Sequence, residues 1–146
     1  MKPMVLVRIG LAVLLVVLAG CGGAKIPGNY LSRQAGLSTQ DPKLNHLTYY
    51  DTWTFVPTET RRGVFKILSD EVDGFIILKN GQGQTIQTGS AAGWDEDGNF
   101  NGDATLNAVL TQGETYTVIA TSETADMTGL YWMVWPDWVT MTGAGT

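Results

Sequence analysis

One cysteine, one histidine and nine basic side chains in 146 residues leave few of the usual routes to chemistry open. With Cys21 as the only thiol, no disulfide forms within the chain. A lone His46, in "KLNHLTYY", cannot make a His-rich zinc centre, which takes at least two imidazoles. No G-x-x-x-x-G-K-[ST] run and no G-x-S-x-G run occurs, so neither a phosphate-cradling loop nor a nucleophile elbow is written in the chain. A hydrolase would have to assemble around His46 from partners that only folding brings together. The chain therefore reads as non-catalytic, with the hydrolase as its weakest alternative.

Long apolar runs are missing as well. The longest stretch, Ile9 to Leu18, is too short for a spanning helix, which needs about 20 residues. It follows Lys2 and Arg8 and leads into small residues, the layout of a secretory signal. The closing "LAGC", Leu18 to Cys21, resembles the bacterial lipoprotein signal. That resemblance implies removal of residues 1–20 as a signal peptide and a diacylglycerol on the Cys21 thiol, an anchor that holds firmly once further acylated. Gly22 stands where an aspartate commonly retains lipoproteins in the inner membrane. The expected place is the cell envelope: the outer membrane in a Gram-negative organism, the cell surface in one with a single membrane. Without Lys2 and Arg8, seven basic side chains face fourteen acidic ones, a formal charge of −7. Nucleic acid is not an expected partner, because no basic patch exists to meet phosphate.

Residues 21–38, "CGGAKIPGNYLSRQAGLS", are rich in Gly and small polar residues and are expected to be a lipidated N-terminus and flexible tether. Residues 39–146 are expected to be one domain. Short β-branched and aromatic runs recur there between Gly, Asn and Asp clusters, at 50–56, 63–69, 74–79, 84–89, 104–110, 115–121 and 129–135. They predict an all-β, antiparallel β-sandwich of seven to eight strands. Alternation places Trp53 with Phe55, Leu106 with Ala108 and Leu110, and Tyr116 with Val118 and Ala120 on inward faces. Asn80-Gly81, between 74–79 and 84–89, predicts a hairpin because both residues can take positive φ.

The order of "GLSTQDP", "YYDTWTF", "VDGFIILKNGQGQTI", an acidic loop, "ATLNAVLTQGETYTVIATS" and "TGLYWMVW" resembles the bacterial pre-peptidase C-terminal domain. The counterparts are Asp73 to Gln84, Asp95 to Asp103, Gly113 to Thr121 with Tyr116 one place late, and Gly129 with Tyr131. The resemblance implies a compact, jelly-roll-like β-sandwich that is normally a non-catalytic module appended to secreted peptidases. Here no peptidase precedes it and a lipid signal does.

The acidic loop, "WDEDGNFNGD", invites a calcium reading. Counting from Asp97 puts Asp97, Asn99 and Asn101 at positions one, three and five of a calcium loop, Gly102 at six and Asp103 at seven, but Ala108 at twelve, where a bidentate Glu belongs. A frame from Asp95 is worse, with Phe100 at the glycine position. Two readings stay open. Asp95, Asp97, Asn99, Asn101 and Asp103 hold Ca²⁺ with a carboxylate borrowed from Asp70, Glu71 or Asp73, or they form a solvated turn.

In "LYWMVWPDW" the strand is apolar on both faces, Tyr131, Met133 and Trp135 on one and Trp132 and Val134 on the other. Either a tail or the tether covers the second face, or Trp132, Trp135, Trp138 and Trp94 expose an aromatic patch for a glycan or an envelope protein. The functional expectation is an envelope lipoprotein whose sandwich binds such a ligand. The alternative is an accessory partner of an envelope protease or assembly system.

Overall fold

The structure, a computed structural model, describes residues 28–94 and 96–143. Ten strands form among them: β1 (Tyr30–Leu37), β2 (Lys43–Leu44), β3 (Thr48–Phe55), β4 (Arg61–Leu68), β5 (Gly74–Lys79), β6 (Thr85–Trp94), β7 (Phe100–Leu110), β8 (Tyr116–Ser122), β9 (Gly129–Pro136) and β10 (Met141–Gly143). All pair antiparallel in the order β1-β9-β4-β7-β6-β5-β8-β3-β10, with β2 beside β3. Setting aside the short β2 and β10, four strands, β1-β9-β4-β7, lie against four, β6-β5-β8-β3. This is the jelly-roll order, in which neighbours in space are mostly far apart in sequence.

The sheet curls because β6 belongs to both halves. Phe75 to Lys79 of β5 pair with β6 up to Ser90, whereas Ala91, Gly93 and Trp94 pair with β7. A register shift between Ala91 and Gly93 marks the crossing, as expected where a strand changes sheets. At this corner the backbones meet with no room for a side chain. A Cβ on Gly89 would lie 2.1 Å from the Thr105 carbonyl oxygen, and one on Gly102 would lie 2.0 Å from that of Val72.

The inner faces make one core. Trp53, Phe65, Ile76, Leu78, Leu106, Val118 and Met133 are buried, and Phe55 stacks on Tyr116 with ring centres 5.5 Å apart. The alternations read from the chain point inward as expected: Trp53 and Phe55, Leu106 and Leu110, and Tyr116, Val118 and Ala120 are all buried. Ala108 is partly buried against the same core.

The β5–β6 hairpin forms through a different turn from the one its Asn-Gly pair suggests. Asn80 Oδ1 accepts from the backbone of Gln82 at 3.1 Å and of Gln84 at 2.9 Å, and positive φ falls on Gly83. An asparagine side chain bonding its own turn replaces the left-handed pair.

The tether expectation needs correction. Residues 21–27 lie outside the described residues, but Tyr30 to Leu37 form β1, paired with β9 from Tyr30↔Pro136 to Leu37↔Gly129. Its glycine and polar residues hid a half-buried edge strand whose only deeply buried side chains are Ala35 and Leu37.

Replacing Gly102 or Gly89 by Ala should lower stability by roughly 1–3 kcal/mol or more, the cost of forcing backbone apart in a packed corner. Gly81→Ala, whose Cβ would meet the Thr115 carbonyl oxygen at an ordinary 3.4 Å, should change the urea midpoint little. Equal midpoints for all three would contradict this account of the corner.

Candidate functional site

The strand register gives the sandwich two poles. Where β1 begins, at Tyr30, gather the ends of β9 and β7 and the β3–β4, β5–β6, β7–β8 and β9–β10 links. Contacts tie them together: Gly113 N–H donates to the Pro57 carbonyl, Gln112 N–H to Thr60 Oγ1, and the Arg61 guanidinium lies 5.4 Å over the Trp138 ring. At the opposite pole gather the β1–β2, β2–β3, β4–β5, β6–β7 and β8–β9 links. There Ser69 Oγ donates to the Leu130 carbonyl at 2.7 Å, Glu71 Oε2 accepts the Leu130 N–H at 2.7 Å, and Lys43 bonds Asp126.

Charge divides between these poles. The second carries Asp41 in its first link, Asp70, Glu71 and Asp73 in the β4–β5 link, Glu96 and Asp97 with nearby Asp103 at the hairpin, and Glu123 and Asp126 before β9. Lys43 is the only Lys or Arg at those links among the described residues, although Lys66 of β4 acts on Asp103. At the Tyr30 pole Arg61, Arg62 and Lys79 balance Glu59, Glu114 and Asp137.

Trp94 stands at the tip of the acidic pole. It ends β6, pairs with Phe100 and rests on that ring at a centre distance of 5.2 Å, yet it is 71 % exposed. The other three tryptophans of the expected patch do not join it. Trp135 lies in the core, 6.0 Å from the Trp53 ring, and its indole N–H has no hydrogen-bond partner among the described residues. Trp138 is half-buried beneath Arg61 at the far pole, and Trp132 is half-buried on the outer face of β9. Among the described residues neither end covers that outer face, for β10 pairs with β3, and β1 lies beside β9 rather than over it. Even so, Val134 on the outer face is buried.

Strand formation divides the described residues of the calcium reading between the hairpin tip and β7. Asp95 lies outside the described residues. β7 begins at Phe100, so Asn101 and Asp103 are in extended, paired backbone rather than in a loop. Asn101 Oδ1 accepts the Asp103 N–H, and Asp103 Oδ1 accepts the Ser69 N–H, both at 2.9 Å. Burial raises Asp103 above the usual carboxylate value; the Ser69 N–H opposes this, Asp70 adds to it and Lys66 subtracts. Asp97 and Asn99 flank Gly98 at the hairpin tip and have contacts of their own. Among the described residues no three of His, Cys, Asp and Glu come together as metal ligands would. Asp103 meets the β4–β5 link through the Ser69 N–H on one carboxylate oxygen, and Asp70 of that link is near enough to act on it electrostatically.

His46 sits exposed in the β2–β3 turn at φ 63°. Among the described residues it forms no hydrogen bond to a carboxylate or hydroxyl.

Two features were invisible in the strand patterns as first read. An open groove of about 360 Å³ lies on the outer face of β5 and β8, walled by Leu44, Leu47, Phe75, Ile77 and Thr121. "GFIILK" signals it, being apolar on both faces just as β9 is. The other is a buried polar chain. Trp53 Nε1 donates to Tyr131 Oη at 3.2 Å, and Tyr131 Oη donates to Asp51 Oδ2 at 2.5 Å. Burial raises Asp51 above its ordinary value, the Tyr131 hydroxyl opposing it and Asp41 adding a little. Burial, then the Asp51 contact, raises Tyr131 far above a free phenol, so it stays a donor.

No protein-family model matches the chain, and no curated protein matches it significantly. The geometry itself carries the functional argument.

Because folding raises Asp51, the folded state holds more protons than the unfolded one from 3.8 up to the raised value. Its contribution to stability is therefore greatest in acid and falls as pH rises through that window. Asp51→Asn should flatten this fall in melting temperature, and an unchanged slope would exclude Asp51 as a source. Tyr131→Phe should cost about 1–3 kcal/mol at neutral pH by stranding a buried carboxylate, and less in acid.

Proposed function

We propose that the chain is an exported lipoprotein, anchored through Cys21, whose β-sandwich is a non-catalytic binding module of the pre-peptidase C-terminal type. Its ligand is a glycan of the cell envelope, met at the acidic pole. Trp94 carries this reading. A domain that packs Trp53, Trp135, Phe55 and Phe65 inside leaves one indole 71 % exposed and braces it, tilted by 54°, on Phe100. Water contact with so large an apolar surface is unfavourable, and a braced ring loses little freedom when a ligand covers it. The flat face of a pyranose, with its C–H bonds, suits that ring, and its hydroxyls suit a rim of carboxylates and amides. A jelly roll is a scaffold that lectin domains also use, although the scaffold alone assigns nothing.

The β5–β8 groove favours a second reading, an accessory that docks an envelope protein. Leu47 overhangs it, 58 % exposed, beside Phe75 and Ile77.

Retention on peptidoglycan sacculi and on soluble oligosaccharides by residues 22–146 separates the two. Trp94→Ala should weaken glycan binding about tenfold or more, as expected for a central aromatic contact, while leaving the melting temperature unchanged. Leu47→Asp should leave it intact. Loss of envelope-protein capture in Leu47→Asp, with no Trp94-dependent glycan binding, would replace the first reading with the second.

A further inference from the structure

Charge, rather than apolar exposure, separates the two poles: Leu31, Val56, Ile86 and Val109 are exposed at or next to the Tyr30 pole, and Leu47, Trp94 and Leu130 at the acidic one. The charges at the Tyr30 pole are balanced, and Arg61 is doubly engaged, by Glu59 at 3.1 Å and by the Trp138 ring. The acidic pole lies at the far end of strands as long as the eleven residues of β7, about 35 Å away.

Covalent reach then sets a constraint. Nine Cα steps join Cys21 to Tyr30, and at about 3.3–3.6 Å each they span no more than about 32 Å. The end of the domain that carries Tyr30 is therefore the one held near the lipid. For the acidic links to reach the headgroups the domain must tip onto its side. That would bring carboxylates of the acidic pole toward an anionic surface, where repulsion acts within a screening length of about 8 Å at physiological salt. Upright, those carboxylates stand several screening lengths away, and the neutral, aliphatic pole meets the bilayer.

We propose that the Tyr30 pole, with Leu31, Val56 and Val109, is the membrane-facing surface of the anchored domain, and that the acidic pole and Trp94 are held outward. This rests on the lipid anchor at Cys21. Its partner is the headgroup layer of an anionic bilayer, and orientation comes from short reach at one pole and repulsion at the other.

The full chain, purified from membranes with its lipid, provides the test. Cys21 is the only native thiol, so one introduced cysteine accepts one fluorophore. Gln82→Cys labels the β5–β6 turn at the Tyr30 pole, and Ala125→Cys the β8–β9 link at the acidic pole, both at exposed positions. In vesicles of phosphatidylglycerol and phosphatidylethanolamine carrying a headgroup nitroxide, the Gln82→Cys label should be strongly quenched and the Ala125→Cys label should not. High salt should narrow the difference. Equal quenching, or stronger quenching at position 125, in protein that floats with the vesicles would overturn the orientation and leave the anchor standing. Mass spectrometry of the N-terminal peptide reads the anchor separately. An unmodified Cys21 would overturn the anchor and the orientation together.

Discussion

Because β6 bonds to β5 through Ser90 and to β7 from Ala91 onward, the two halves of a single sheet are folded face to face, and every later feature inherits that bend. It brings β3 against β9, so that Trp53 meets Trp135 and Tyr131 reaches Asp51. It sends the second half of β6 past the body of the sandwich, carrying Trp94 to an extremity. Beside the bend, Gly89 lets β6 approach the Thr105 carbonyl, and Gly102 lets β7 approach the carbonyls of Val72 and Ser69. A hydrophobic core alone would not produce the bend, since flat sheets can also bury one face; the missing side chains at the corner let its backbones close up.

Seven of the ten strands were legible as β-branched and aromatic runs between turn formers, and three of them by alternation as well, for a physical reason. In β3, β7 and β8 one face is buried and the other wet, so the two-residue period is written in side chains such as Trp53 and Phe55 against Thr52 and Thr54. β1 was not legible because an edge strand at the mouth of a sandwich needs few apolar contacts: only Ala35 and Leu37 are deeply buried, and Gly36 and Ser32 read as linker. The start of β7 was missed for the opposite reason. Asn101, Gly102 and Asp103 are favoured turn formers, but cross-strand pairing with β6 and the demand for no side chain at Gly102 override local preference. That override also sets Asn101 and Asp103, two residues of the calcium frame, in the paired backbone of β7 rather than in a loop.

The aromatic patch was only partly legible. Alternation correctly separates Trp135 from Trp132, but composition cannot say which face is inside, and the answer depends on β3 lying opposite. Trp94 is the residue whose position no periodicity could supply. It follows a register shift, and a one-residue change there exchanges core for solvent. The charge division was present in the chain throughout, for the acidic links are consecutive crossings of one pole, yet it becomes visible only once up-and-down pairing assigns each link to an end.

The pairing of β1 with β9, described above as an edge, also sets when the molecule can exist. Tyr30 is aligned with Pro136, so the first strand made waits for the last long one. β3 likewise receives β10, which ends at Gly143. Contacts spanning nearly the whole domain demand loop closure before any reward, and chains of this kind fold slowly. A ribosome still holding the last few dozen residues holds a chain that cannot close its sandwich. For the export proposed here that delay is useful, because a polypeptide must stay open until a translocation pore has taken it.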